Sequence, residues 1–284
     1  SPDHAELLSE TLTELGALSV SFQDAEDEPI FQIQPGETPL WKKTKVDALF
    51  EEGTSIETII DALKAENPDF LQLDFYSEKI EDQDWVRITQ QQFHPKQYGR
   101  NLWICPAWEE TNDLTGTIVK IDPGLAFGTG THPTTSLCLD WLANNPPKNK
   151  TVIDYGCGSG ILSLAALALG ANIVYAVDHD PQAVISTENN AKLNAFYDPN
   201  LLKISLPESC KAERADLVIA NILANPLIEL APLLIGFLNP NAELVLSGLL
   251  ENEVERVADA YESLTPISTT IVDGWARMVF QNNS

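Results

Sequence analysis

Basic residues are scarce in this chain: 17 Lys and Arg stand against 42 Asp and Glu, a formal net charge of −25. A field of that sign repels phosphate backbones, so direct nucleic-acid binding is not expected, whereas a basic protein would be attracted. Solubility or a salty habitat would equally explain the acidity. Cysteine is sparse and scattered. Cys105, Cys138, Cys157 and Cys210 form no C-x-x-C pair, which argues against a metal site and a disulfide scaffold and for a reducing cytoplasm. Long hydrophobic runs are absent too. The longest, 161–177, is broken by Ser163, Gly170 and Asn172, so no membrane span is expected. The start, Ser1-Pro2-Asp3, shows no charged-then-apolar signal, and no repeat or low-complexity segment appears. What remains is ordinary for a globular protein: 44% hydrophobic and 21% charged over 284 residues, enough for one large domain or two smaller ones.

The densest signal is Val152-Ile153-Asp154-Tyr155-Gly156-Cys157-Gly158-Ser159-Gly160, with an apolar helix pattern beginning at Ile161. A second apolar strand, 173–177, then ends in Asp178. Strand, glycine turn, helix and a strand ending in a carboxylate is the layout of a nucleoside-cofactor site. Glycines permit positive φ and close approach of a ligand, and a carboxylate at Asp178 can accept hydrogen bonds from two ribose hydroxyls. Dinucleotide sites favour G-x-G-x-x-G, but Ile161 stands where the third glycine would fall. Asp154 would repel a pyrophosphate and suit a cationic ligand. The D-x-G-x-G-x-G pattern resembles the glycine motif of S-adenosylmethionine-dependent methyltransferases. A plain turn is the competing explanation, and Asp154 and Asp178 in register weigh against it.

The first eighty residues suit a small α+β module. Leu7, Leu8, Leu12 and Leu15 share a helical face ending at Gly16, and 18–23 and 29–34 are strand-like. A helix beginning at Thr54 with Glu57 has a capping-box signature, and a third strand is expected at 70–75. The order α-β-β-α-β lacks only a leading strand to become a ferredoxin-like split βαβ, which residues before Ser1 would supply. Residues 81–95 look like a linker that Trp85 and Phe93 could dock. From 96 to 284 the pattern is α/β, with strands at 152–155, 173–177, 201–204, 217–220 and 243–246. Two more, 267–272 and 275–280, flank Asp273-Gly274, a strong hairpin signal.

Two further segments carry chemistry. Residues 122–135, Asp-Pro-Gly-Leu-Ala-Phe-Gly-Thr-Gly-Thr-His-Pro-Thr-Thr, form a structured loop without the lysine a phosphate-binding P-loop requires. It fits a lid over a cofactor, with Phe127 as a wall and Thr135 as a polar contact, or simply a decorated helix entry capped by Thr134, Thr135 or Ser136. His132, which precedes a proline, fits a turn better than a catalyst. The apolar strand 217–220 ends in Asn221, at the sheet edge where open α/β folds place ligands. The Asn221 carbonyl could accept a hydrogen bond from an incoming amine and aim its lone pair at a methyl group. A strand-end turn is the alternative.

The 122–135 loop, the 152–160 turn, Asp178-x-Asp180-Pro181 and Asn221-Ile222-Leu223 together resemble the ribosomal protein L eleven methyltransferase family. The similarity spans essentially the whole chain, including the Asp84-Trp85 connector and Leu102-Trp103-Ile104-Cys105-Pro106. The resemblance implies a Rossmann-like class I methyltransferase sheet, parallel strands closed by a C-terminal antiparallel hairpin, behind a small ferredoxin-like α+β N-terminal domain. It implies an enzyme with S-adenosyl-L-methionine as cofactor and a large-subunit ribosomal protein as partner; a cytoplasmic monomer is expected. Lysine side chains and an N-terminal amine would be the acceptors. The family's cofactor contacts carry over to Thr135, Gly156, Asp178 and Asn221, with Gly158 and Gly160 completing the turn and Phe127 walling it; Asn221 is the catalytic candidate. Val86-Arg87-Ile88-Thr89 departs from the family's charged helical connector, because β-branched residues weaken a helix. The rivals are a methyltransferase of protein glutamine or nucleic-acid bases and a non-catalytic binding protein. The first commonly shows N-P-P-[YF] where Asn221-Ile222-Leu223-Ala224 stands here, and an intact glycine set with Asp178 argues against the second.

Overall fold

A computed structural model describes residues 2–25, 43–79, 93–122 and 132–283. The expected strand at 29–34, most of the linker including Trp85, and Phe127 lie outside them. The chain separates into two compact units, residues 1–83 and 84–284.

In the smaller unit, helix α1 (Pro2–Glu14) buries Ala5, Leu8 and Leu12, whereas Leu7 is exposed, so the apolar face is narrower than the sequence implied. Strand β1 (Ser19–Asp24) pairs antiparallel with β2 (Thr44–Leu49), a strand the sequence did not announce. Helix α2 (Ile56–Glu66) is capped by Ser55, one residue later than expected: its Oγ accepts the Thr58 N–H at 3.4 Å, while the Thr54 hydroxyl turns back to the Glu51 carbonyl. The expected strand at 70–75 does not form. Asn67 accepts the Asp69 N–H and starts a 3-10 turn over Pro68–Gln72. Phe70 is buried from that turn against Leu8, Leu12, Ile59 and Leu63. The ferredoxin-like arrangement is thus present only in its α-β-β-α part among the described residues.

The larger unit opens with a small three-stranded sheet that the sequence reading did not foresee. Its strands are β3 (Lys96–Tyr98), β4 (Leu102–Pro106) and β5 (Thr117–Ile121), with β3 antiparallel and β5 parallel to β4. The main sheet has seven strands: β6 (Thr151–Tyr155), β7 (Ile173–Val177), β8 (Leu202–Ser205), β9 (Ala215–Asn221), β10 (Leu238–Leu250), β11 (Thr265–Val272) and β12 (Trp275–Gln281), in the order β11-β12-β10-β9-β6-β7-β8. Strands β8, β7, β6, β9 and β10 run parallel, and β12 and β11 close the sheet antiparallel, as expected. Asp273 and Gly274 both take positive φ in the hairpin.

Helices cover both faces: α3 (Pro133–Asn144), α4 (Ile161–Ala168), α5 (Pro181–Lys192), α6 (Ala224–Glu229), α7 (Ala231–Gly236) and α8 (Val254–Ala260). Successive strand residues feed opposite cores. Val152, Leu217, Ile219 and Val245 join one; Ile153, Val218, Ala220, Leu244 and Leu246 join the other. Burial on both faces is why these strands read as unbroken apolar runs. The chain winds outward from β6 to β8 and then crosses back to β9, so the topological switch lies between β6 and β9.

Tyr261 locks the helical layer to this sheet. It is fully buried, its hydroxyl donates to the Leu227 carbonyl at 2.6 Å, and its ring stacks on Phe280. Tyr261→Phe leaves that carbonyl without its donor and is expected to lower stability by about 1–2 kcal/mol in urea unfolding.

Candidate functional site

The switch point is where the site is built. Beyond β6 the chain turns through Gly156, Gly158 and Gly160, all at positive φ (83°, 55° and 80°), before α4 begins. The Gly156 and Cys157 N–H groups both donate to the Val177 carbonyl at the end of β7, at 2.7 and 3.1 Å. Asp178 continues the anchoring: Oδ2 accepts the Gly158 N–H at 2.8 Å and Oδ1 the Asp180 N–H at 3.0 Å. The sequence assigned Asp178 to a ligand; the structure shows that it also braces the turn. Oδ2 keeps a second lone pair for an incoming hydroxyl, whereas Oδ1 also faces His179 Nδ1 at 3.4 Å.

Across the switch point, β9 delivers Asn221. Its Nδ2 donates to Thr135 Oγ1 at 3.2 Å, so two residues named from separate motifs meet here. Asn221 Oδ1 is buried and has no hydrogen-bond partner among the described residues. Thr135 sits in the first turn of α3, whose cap is His132 and none of the three hydroxyl residues proposed for it. His132 Nδ1 accepts the Thr134 N–H, its ring meets Trp275 edge-on at 4.7 Å, and burial pushes its pKa down. His132 thus serves as the cap of the helix entry.

The two halves touch through Ile222. A Cβ on Gly156 would lie 2.3 Å from Ile222 Cγ2, and one on Gly248, at φ +90°, would lie 2.3 Å from the Ile222 carbonyl oxygen. These contacts give the two glycines their purpose, because any side chain there would drive β9 away from its neighbours. Gly248 sits where the pairing of β10 with β12 slips between Ser247 and Leu249. The sequence reading missed it, although a glycine inside a strand marks a bulge or a close backbone approach. Gly248→Ala is expected to destabilise the fold by at least ~2 kcal/mol in urea unfolding and to displace Asn221, lowering turnover more than tenfold.

Asp154, at the end of β6, is fully buried. Its Oδ2 accepts from Ser163 Oγ at 2.6 Å, and Oδ1 has no partner among the described residues. Burial pushes its carboxyl up to about 6, aided by the charge of Asp178 and opposed by the Ser163 hydrogen bonds. Orphan acceptors at Asp154 and Asn221, together with Asp178, suit a ligand that brings donors and positive charge, as S-adenosylmethionine would. No group of three His, Cys, Asp or Glu among the described residues could hold a metal ion.

The folded chain holds the Asp154 proton more tightly than the unfolded chain, whose carboxyl titrates near 3.8. Stability contributed by this group is therefore complete below the lower value and is lost as pH rises through about 6. The stability difference between Asp154→Asn and the unaltered chain is expected to shift in the variant's favour by about 2 kcal/mol from pH 4 to pH 7, measured by urea unfolding.

A family model described as "Ribosomal protein L11 methyltransferase (PrmA)" matches residues 1–283. The ribosomal protein L11 methyltransferase of Marinomonas sp. (strain MWYL1) is 46% identical over 281 residues, covering 98% of this chain and 95% of its own length. That of Pasteurella multocida (strain Pm70) is 50% identical over 259 residues, covering 90% and 87%. The crystal structure of a ribosomal protein L11 methylase from Lactobacillus delbrueckii subsp. bulgaricus matches with a TM-score of 0.60 at 31% identity, covering 68% of this chain and 100% of that one. A whole-chain match, relatives near half identity and a shared class I methyltransferase fold agree: the chain belongs to the ribosomal protein L11 methyltransferase family.

Proposed function

We propose that this chain methylates lysine side-chain amines and the N-terminal amine of ribosomal protein L11, with S-adenosyl-L-methionine as the methyl donor. The observation that carries this reading is the buried, unbonded Oδ1 of Asn221, fixed in orientation by the bond from Nδ2 to Thr135 Oγ1. Asn221 Oδ1 accepts an N–H of a neutral amine and so sets the direction of its lone pair. When bound, S-adenosylmethionine supplies a sulfonium methyl activated for direct displacement. Asp178 would offer acceptor capacity to ribose hydroxyls, the backbone of Gly156, Gly158 and Gly160 would hold the methionyl part, and Thr135 would add a polar contact.

A lysine amine of pKa about 10.4 is mostly protonated near neutrality, and losing the proton at pH 7.5 costs roughly 4 kcal/mol. Entry into the site removes water from the ammonium and lowers that cost. In-line positioning supplies much of the rest, so no side chain is assigned as a general base. Residues 1–80 act as the substrate-recognition domain, 81–95 as the linker and 96–284 as the catalytic domain. The net charge of −25 suits a basic ribosomal protein and disfavours its RNA. The protein works as a monomer in the cytoplasm.

Asn221→Ala is expected to reduce methyl transfer to purified L11 at least a hundredfold. Its melting temperature should stay close to that of the unaltered chain. Retained turnover would remove Asn221 from the mechanism, and label appearing in ribosomal RNA instead of L11 would overturn the substrate.

A further inference from the structure

Helix α5 grips the glycine turn through two buried side chains. Thr187 and Asn190, three residues apart and on one helical face, are 0% and 1% exposed. The Thr187 hydroxyl donates to the Gly158 carbonyl at 3.0 Å, and Asn190 Nδ2 donates to the Ser159 carbonyl at 2.9 Å. A Cβ on Gly160 would lie 2.6 Å from Thr187 Cγ2, so helix and turn are in direct contact. A trans peptide points its N–H opposite to its C=O. Holding these two carbonyls against α5 therefore sets the direction of the N–H groups of Ser159 and Gly160, the latter onto the Cys157 carbonyl at 2.8 Å.

Asn190 also reaches a third element. Its Oδ1 accepts the N–H of Asp122 at 2.8 Å, the residue following β5 and leading into 123–131. One buried carboxamide thus joins the cofactor turn to the root of the Gly124–Thr135 segment. Asn194, one helical turn on, offers a built-in comparison. It accepts the Lys120 N–H and donates to the Lys120 carbonyl, both at 2.8 Å, and donates to the Asn190 carbonyl; none of these bonds goes to the glycine turn.

We infer that Asn190 is a positioning residue for the cofactor: it fixes the glycine turn against the end of β5 and thereby sets cofactor affinity without touching the ligand. The inference rests on the S-adenosylmethionine reading of the site. Asn194 contributes to the fold and leaves that affinity alone.

Calorimetric titration of the full chain with S-adenosylhomocysteine provides the test. Asn190→Leu is expected to weaken binding about tenfold, whereas Asn194→Leu changes it less than twofold, although both lower the melting temperature. Asn190→Asp keeps the acceptor for Asp122 and loses the donor to Ser159. Its affinity relative to the unaltered chain should recover as pH falls, because the protonated carboxyl regains a donor. Equal weakening by the Leu variants, or a pH-independent deficit in Asn190→Asp, would overturn the inference. Should Asn190→Leu not fold, the Asp variant decides. Amide hydrogen exchange without ligand supplies an independent readout: the Asn190 variants should raise exchange at both 156–160 and 119–122, and Asn194→Leu only at 119–122. If the unaltered chain binds no S-adenosylhomocysteine, the proposed function falls. Exchange confined to one segment in the Asn190 variants would show instead that the link itself is wrong.

Discussion

Everything at the carboxyl edge of this sheet depends on how closely Ile222 can sit between Gly156 and Gly248. Its side chain occupies the space a Cβ on Gly156 would need, and its backbone the space a Cβ on Gly248 would need. Positive φ at both glycines makes the approach possible. Because Ile222 follows Asn221 directly, the same contact fixes the strand end that aims Asn221 and the turn that Asp178 braces. The glycine turn and the end of β9 are thereby registered to each other by steric contact across the switch between β6 and β9.

The polar groups gathered there are acceptors, and two of them carry a cost. Asp154 is buried beside Asp178 with one oxygen unbonded, and Asn221 keeps an unbonded oxygen as well. Unsatisfied buried acceptors destabilise a fold and are retained where a ligand completes them. A site of this composition is poorly matched to a pyrophosphate. It suits a sulfonium cofactor and an amine on a basic protein, in keeping with the family to which the chain belongs.

The large sheet was legible because its strands are buried on both faces and read as continuous apolar runs, and because Asp273-Gly274 marks the hairpin so clearly. The three-stranded sheet was not legible: β3 spans only Lys96–Tyr98, too short to show alternation. Residues 70–75 looked like a strand by composition, but the Asn67-Pro68 start imposed a 3-10 turn that buries Phe70 just as well. At the site, spacing marked the glycine turn and Asp178, whereas Thr135 and Asn221 were singled out by a loop, a strand end and the family resemblance. The bond between Asn221 and Thr135 could not be foreseen, since the two are 86 positions apart. Gly248, Thr187 and Asn190 stayed hidden for the same reason. Their roles arise only when β10 and α5 come up against segments distant in sequence.

The most direct measurement is peptide mapping by mass spectrometry of purified, unmethylated L11 after incubation with this protein and S-adenosylmethionine. Methyl groups should appear on lysine side chains and on the N-terminal amine, and nowhere else in L11. Methylation confined to glutamine, or an unmodified L11 alongside a protein that binds S-adenosylhomocysteine, would contradict the amine-directed geometry described for Asn221.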